Sequence, residues 1–155
     1  MTLRQNMKYW LPVILWMGFI FLMSTDTFSA QNTSRVVEPI LRFLFPSITA
    51  KHLMLAHEII RKSAHVTEYF ISGLLLFRAF RDDATEPRIW RWALLSLLIT
   101  FLIAASDEFH QTFISSRTPS PIDVGIDTAG GFFAQCINVL RAKRSFRPVK
   151  TQPGA

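Results

Sequence analysis

Residues 106–131 read SDEFHQTFISSRTPSPIDVGIDTAGG, and they place four acids, a histidine, a glutamine and an arginine directly behind the uncharged run 92–106. The run before this stretch is apolar, and the residues after Asp123 return to small and apolar types. The stretch therefore reads as the polar end of one apolar helix, a connection, and the polar start of the next.

The whole chain supports a membrane setting. Half of its 155 residues are hydrophobic, 13% are aromatic and only 18% are charged, against about 25% charged in soluble domains. The net charge is +6. The cations flank apolar runs: Arg4 and Lys8, then Arg78, Arg81, Arg88 and Arg91, then Arg141, Lys143, Arg144, Arg147 and Lys150. That is a topogenic pattern and not a reading surface, so nucleic acid is not expected as a partner. The single Cys136 lies in an apolar run, cannot form an intramolecular disulfide, and reads as a small buried packing residue.

A membrane helix needs about 20 mostly apolar residues, and four runs qualify as candidates. The first is 9–23; a signal-peptide cut after Ala30 would place Phe28 where a small residue is required, so a retained anchor is expected. The second, 63–80, carries His65 and Glu68. The third, 89–106, has Trp90 and Trp92 at its entry, and the fourth, 124–140, is rich in Gly125, Ala129, Gly130, Gly131 and Ala134. Such small residues let helices approach closely in lipid. Residues 25–62 are too polar to span, and VVEPILRFLFPSI (36–48) within them reads as a short helix on the membrane surface. The expectation is an all-α, polytopic membrane protein: a four-helix transmembrane bundle with an interfacial helix between the first and second spans. It forms one domain over 1–145, followed by a mobile basic tail over 146–155. The tryptophans and phenylalanines read as belt and lipid-facing residues.

The compact basic clusters fall at the N-terminus, the 81–88 connection and the C-terminus, which share one side of such a bundle. The positive-inside rule makes that side cytoplasmic, in a multi-pass inner-membrane protein. The polar helix ends then gather at the other face: Ser24, Thr25 and Asp26; Arg61, Lys62, His65 and Glu68; Asp107, Glu108, His110 and Gln111; Asp123 and Asp127. His65, Glu68, Tyr69 and Ser72 fall at offsets of three, four and seven and so share a helix face, as do Asp107, His110 and Gln111. An ionisable group at the centre of a membrane helix is disfavoured by about 2.5–3.5 kcal/mol on insertion scales, so His65, Glu68 and Asp127 call for a functional explanation. Taken singly, Asp107, Glu108, Arg117 and Asp123 also fit ordinary interfacial ion pairs, and Lys62 fits a snorkelling lysine.

These residues carry a resemblance. RKSAHVTEYFISGLL (61–75), SDEFHQTFISSR (106–117) and DVGIDTAGG (123–131) resemble the VanZ family, named for a member associated with bacterial resistance to the glycopeptide antibiotic teicoplanin. Ser116 stands where the family typically has Gly before the arginine. The resemblance implies a polytopic inner-membrane protein of the cell envelope, connected with amphiphiles such as acylated glycopeptides and lipid-linked wall precursors. It supplies no reaction. A phosphotransbutyrylase label carried by some family members finds no phosphate-cradling glycine loop here.

Three readings follow. In the first, the chain is an enzyme acting on a lipid-linked or acylated substrate at the outer leaflet. His65, Glu68, Asp107 and Asp127 are then the acid–base candidates, with His65 and either Glu68 or Asp127 as the proton-transfer pair. Arg61, Lys62, Tyr69, Glu108, His110, Gln111, Arg117 and Asp123 surround the substrate, the arginines binding its anionic head group. In the second, the same residues form a binding or transport cavity for an amphiphile, and transport by so few helices would require a homo-oligomer. In the third, His65-x-x-Glu68 and Asp107-x-x-His110 ligate a metal. No cofactor or metal is expected on the favoured reading; membrane lipids are the expected partners.

Overall fold

A computed structural model describes residues 3–82, 88–114 and 120–145. The expected mobile tail, Ser116 and Arg117 lie outside these residues. The described chain is all helical: α1 (Leu3–Met23), a short 3-10 turn (Asp26–Phe28), α2 (Ala30–Leu44), α3 (Ala50–Arg81), α4 (Ile89–Gln111) and α5 (Pro121–Ser145). The packing is centred on α3, which meets α1, α2, α4 and α5.

The second helix is much longer than its apolar run. Thr49 caps its start, its hydroxyl accepting the His52 N–H at 3.4 Å. Glu58 pairs with Arg61 at 3.4 Å and Lys62 at 3.3 Å, one turn on. These contacts carry the helix through a stretch whose polarity had marked an end. At about 1.5 Å per residue, the 32 residues of α3 span roughly 48 Å, against about 30 Å of hydrocarbon core. The helix is thus longer than a single crossing would need, and its first three turns mix Lys51, His52, His57 and Glu58 with exposed Met54, Leu55 and Ile59. Likewise α2 starts earlier than residue 36, with Ser29 as its cap accepting from the Asn32 N–H, and runs through Pro39 to end just before Pro46. Its Val37 and Leu41 line a small cleft with Leu53, Met54 and His57 of α3, while Val36, Ile40, Phe43 and Leu44 are exposed.

The small-residue face of α5 brings it against α3 and α4. A Cβ added at Gly130 would stand 2.5 Å from the Val66 carbonyl oxygen of α3, and one at Gly131 would stand 2.6 Å from the Thr100 methyl of α4. Gln135 of α5 donates to the Gly73 carbonyl at 3.1 Å. Deeper in the bundle, Phe77, Ile89, Trp92, Ala93, Val139 and Ala142 form one apolar cluster. Phe77 and Trp92 are thus core residues and not part of a lipid-facing belt, whereas Trp90 is exposed. Cys136, expected to be buried, is exposed instead and lines an apolar groove of about 440 Å³ between α4 and α5. It falls on the outward side of α5, between the buried Gln135 and Asn138.

By length and composition, α4 is the described helix that can cross a membrane alone; α1 passes the same test only together with the bent segment that follows it. The polar residues that α3 and α5 bring to one end of the bundle lower their hydropathy. The expected set of four spans is thus reduced to one clear candidate, within an all-helical fold.

Candidate functional site

The end of α1, the middle of α3 and the end of α4 meet around a cavity of about 160 Å³. Ser24, Arg61, His65, Glu68 and Asp107 form its polar wall, and Ile20, Met23, Phe28, Val37 and Ile60 its apolar one. On α3, His57, Arg61, Ala64, His65 and Glu68 reach the cavity because offsets of three, four and seven repeat along one face. The volume is on the order of five liquid waters, room for a compact head group and not for a whole lipid.

The first turns of α5 stand behind that wall. Ser120 and Pro121 begin the helix as cap and first residue, the Ser120 hydroxyl accepting the Ile122 N–H at 3.2 Å. One turn on, Asp123 lies 3.5 Å from Lys62 and 3.9 Å from Arg61. A further turn on, the fully buried Asp127 lies 3.6 Å from His65 Nδ1. The His65–Asp127 pair is thus held by two helices whose backbones approach through Gly130.

The remaining expected site residues divide. Gln111 donates to Asp107 Oδ2 at 3.1 Å, inside α4. Glu108 is turned to the α4–α5 connection, where it accepts the Ser120 N–H at 2.8 Å. Tyr69 has no exposed surface and packs with Ile20 and Ala104; it lies behind the cavity and does not line it. His110 leaves the cluster altogether and sets its ring 4.6 Å from that of Phe21 on α1. Arg117 lies outside the described residues. Among the described residues, no three His, Cys, Asp or Glu side chains converge to hold a metal ion. His110 is turned away from the pairing that the metal reading needs.

Several buried polar atoms at this end have no hydrogen-bond partner among the described residues: Ser24 Oγ, Arg61 Nε, His65 Nδ1 and Asp107 Oδ1, all on cavity-lining residues, with Tyr69 Oη and Asp127 Oδ2 behind. Buried polar groups are normally satisfied; two of these atoms, His65 Nδ1 and Asp127 Oδ2, stand 3.6 Å from each other. At the rim, partial burial pushes the Glu58 carboxyl up, but Arg61 and Lys62 outweigh it and hold its pKa below the usual value.

A second opening adjoins the first. An apolar groove of about 590 Å³ runs between α1 and α4 along Met17, Gly18, Phe21, Ile99, Leu102 and Ile103, and it shares Ile20 and Asp107 with the cavity.

Residues that the sequence did not single out also take part. His57 lines the cavity and meets the Thr33 hydroxyl of α2 at 3.3 Å. Trp16 of α1 donates to the Glu68 carbonyl at 3.0 Å. The signal for His57 was its place one turn before Arg61, legible only once α3 is known to extend that far. Trp16 offered no signal, since a hydrogen bond across 52 residues leaves no trace in local spacing.

No curated protein and no solved structure matches the chain. A family model does: VanZ/LLP1, over residues 9–141. That span takes in the whole of α2, α3 and α4, most of α1 and α5, and every described residue of the polar cluster, and the chain belongs to the VanZ/LLP1 family.

Proposed function

We propose that this VanZ-like protein sits in the bacterial inner membrane, both termini cytoplasmic, and holds a lipid-linked or acylated amphiphile at the outer leaflet. The head group occupies the polar cavity, and an acyl chain lies in the α1–α4 groove. The observation that carries this reading is the adjacency at Ile20 and Asp107, which line both a largely apolar cavity with polar residues on one wall and an apolar groove. Arg61 is the cavity's contact for an anionic group on the ligand; its guanidinium keeps one buried N–H without a partner among the described residues. A connection with glycopeptide resistance follows if the bound amphiphile is an acylated glycopeptide or the lipid-linked precursor it targets.

A second reading gives the same site a reaction. The contact between His65 and Asp127 supplies a base and the carboxylate that orients it, and His65 lines the cavity while Asp127 does not. In that case His65→Gln abolishes turnover while amphiphile binding persists.

Native mass spectrometry of the protein extracted from its own membranes tests the binding reading. A bound amphiphile retained by the wild type and depleted in Arg61→Gln is the expected result. Equal lipid occupancy in the two proteins, with Arg61→Gln folded, contradicts it.

A further inference from the structure

We infer that the head group bound in the cavity carries a cationic amine beside its anionic group, with the amine held by Asp107. This deepens the amphiphile reading above and rests on it.

The inference starts from Asp107. Its side chain is 6% exposed and lines the cavity. One carboxylate oxygen accepts from Gln111, and the other is buried without a hydrogen-bond partner among the described residues. A carboxylate is an acceptor on both oxygens, so the open one calls for a donor. Ser24 is also buried, at 2% exposure, lines the same cavity, and its hydroxyl has no hydrogen-bond partner among the described residues. Two residues more than nine-tenths buried, each with an unpartnered polar atom among the described residues, therefore belong to the cavity's lining.

The charge balance points the same way. Among the described residues that line the cavity or take part in the ion pairs around it, Glu58, Glu68, Asp107, Asp123 and Asp127 outnumber Arg61 and Lys62, even with His65 counted as a cation. Both cations are already engaged, Arg61 and Lys62 each with Glu58 and Asp123. A purely anionic head group would meet net negative charge in a partly buried site, where Coulomb terms are screened less than in water. A zwitterionic group of phosphate and primary ammonium matches the wall instead. Its anionic end faces Arg61 and its ammonium faces Asp107, with Ser24 able to bond either end.

The test titrates the purified full-length chain in detergent with short-chain phosphatidylethanolamine and with its N-acetyl derivative. The derivative keeps the phosphate and the tails but loses the positive charge. The amine form is expected to bind about tenfold tighter, the scale of one charge-assisted hydrogen bond. Asp107→Asn should remove most of that difference. Equal affinity of the two lipids for the wild type overturns the inference, and this comparison needs no variant to fold. If both lipids bind equally and both weaken in Arg61→Gln, the amine assignment alone fails. If neither binds, the amphiphile reading falls and the inference with it. Phosphoethanolamine without acyl chains serves as competitor: weak competition supports a lipid source. Competition as strong as the lipid's overturns the role of the groove and leaves the amine contact standing.

Discussion

The indole Nε1 of Trp16 donates to the main-chain carbonyl of Glu68 at 3.0 Å, joining α1 to α3 one turn from His65. The Ser72 hydroxyl donates to the same carbonyl at 3.1 Å. The end of α1 that supplies Ile20, Met23 and Ser24 to the cavity is therefore registered against α3 by a polar bond as well as by packing of Ile20 on Tyr69 and Ala104.

Trp16→Phe keeps one aromatic ring but deletes the donor together with the fused five-membered ring. The expected loss is about 1 kcal/mol of stability, read as a lowered thermal midpoint in detergent, with a weaker amphiphile affinity because one cavity wall is no longer fixed. An unchanged midpoint and affinity would show that packing alone places α1.

The α3–α5 contact gives a second prediction. Gly130→Ala puts a methyl 2.5 Å from a backbone carbonyl, while Gly125→Ala meets nothing within 4 Å. Overpacking of this kind typically costs about 1–3 kcal/mol. Thermal unfolding should separate the two variants clearly, with Gly125→Ala close to wild type. Equal behaviour would mean that α5 does not approach α3 at Gly130.

How much of this was legible beforehand differs by residue. The all-helical fold, the small-residue face of α5 and the meeting of Arg61, His65, Asp107, Asp123 and Asp127 at one end followed from apolar runs and helical offsets. The start of α3 did not. Polarity marks where an apolar run stops, not where helical hydrogen bonds stop, so the sequence alone leaves residues 50–62 outside the second run. His57 was lost with them. Glu108 and His110 lay on the expected helix end, yet their side chains turn to Ser120 and Phe21; rotamer choices of that kind depend on neighbours that spacing does not encode.

The His65–Asp127 contact is testable as a coupling. Removing one partner leaves the other buried without its counterpart, so His65→Phe and Asp127→Asn should each destabilise the protein. The double variant should lose less than their sum, with a coupling on the order of 0.5–3 kcal/mol. Strict additivity in thermal or denaturant unfolding would show that the two side chains do not interact.

Glu58 supplies a pH dependence. Its folded pKa is held below the ordinary 4.5 by Arg61 and Lys62 against partial burial. A depressed carboxylate pKa stabilises the fold above the unfolded value and loses that contribution as pH falls through the folded one. The midpoint difference between wild type and Glu58→Gln should therefore be present at neutral pH and shrink below about pH 4.5. Because Glu58 is substantially exposed, the difference should be small and reduced by salt. A difference that grows on acidification would reverse the assignment.

The most direct measurement of the central claim places one reporter cysteine in each opening. Ala64 lines the polar cavity, and the native Cys136, the chain's single cysteine, lines the separate α4–α5 groove. Maleimide labelling is followed in Ala64→Cys on a Cys136→Ser background and, in parallel, in the wild type, each with and without a saturating short-chain amphiphile. Protection of the cysteine at 64 with Cys136 still reactive is the predicted result. Protection at Cys136 alone would place the amphiphile on the other side of the bundle and contradict the account.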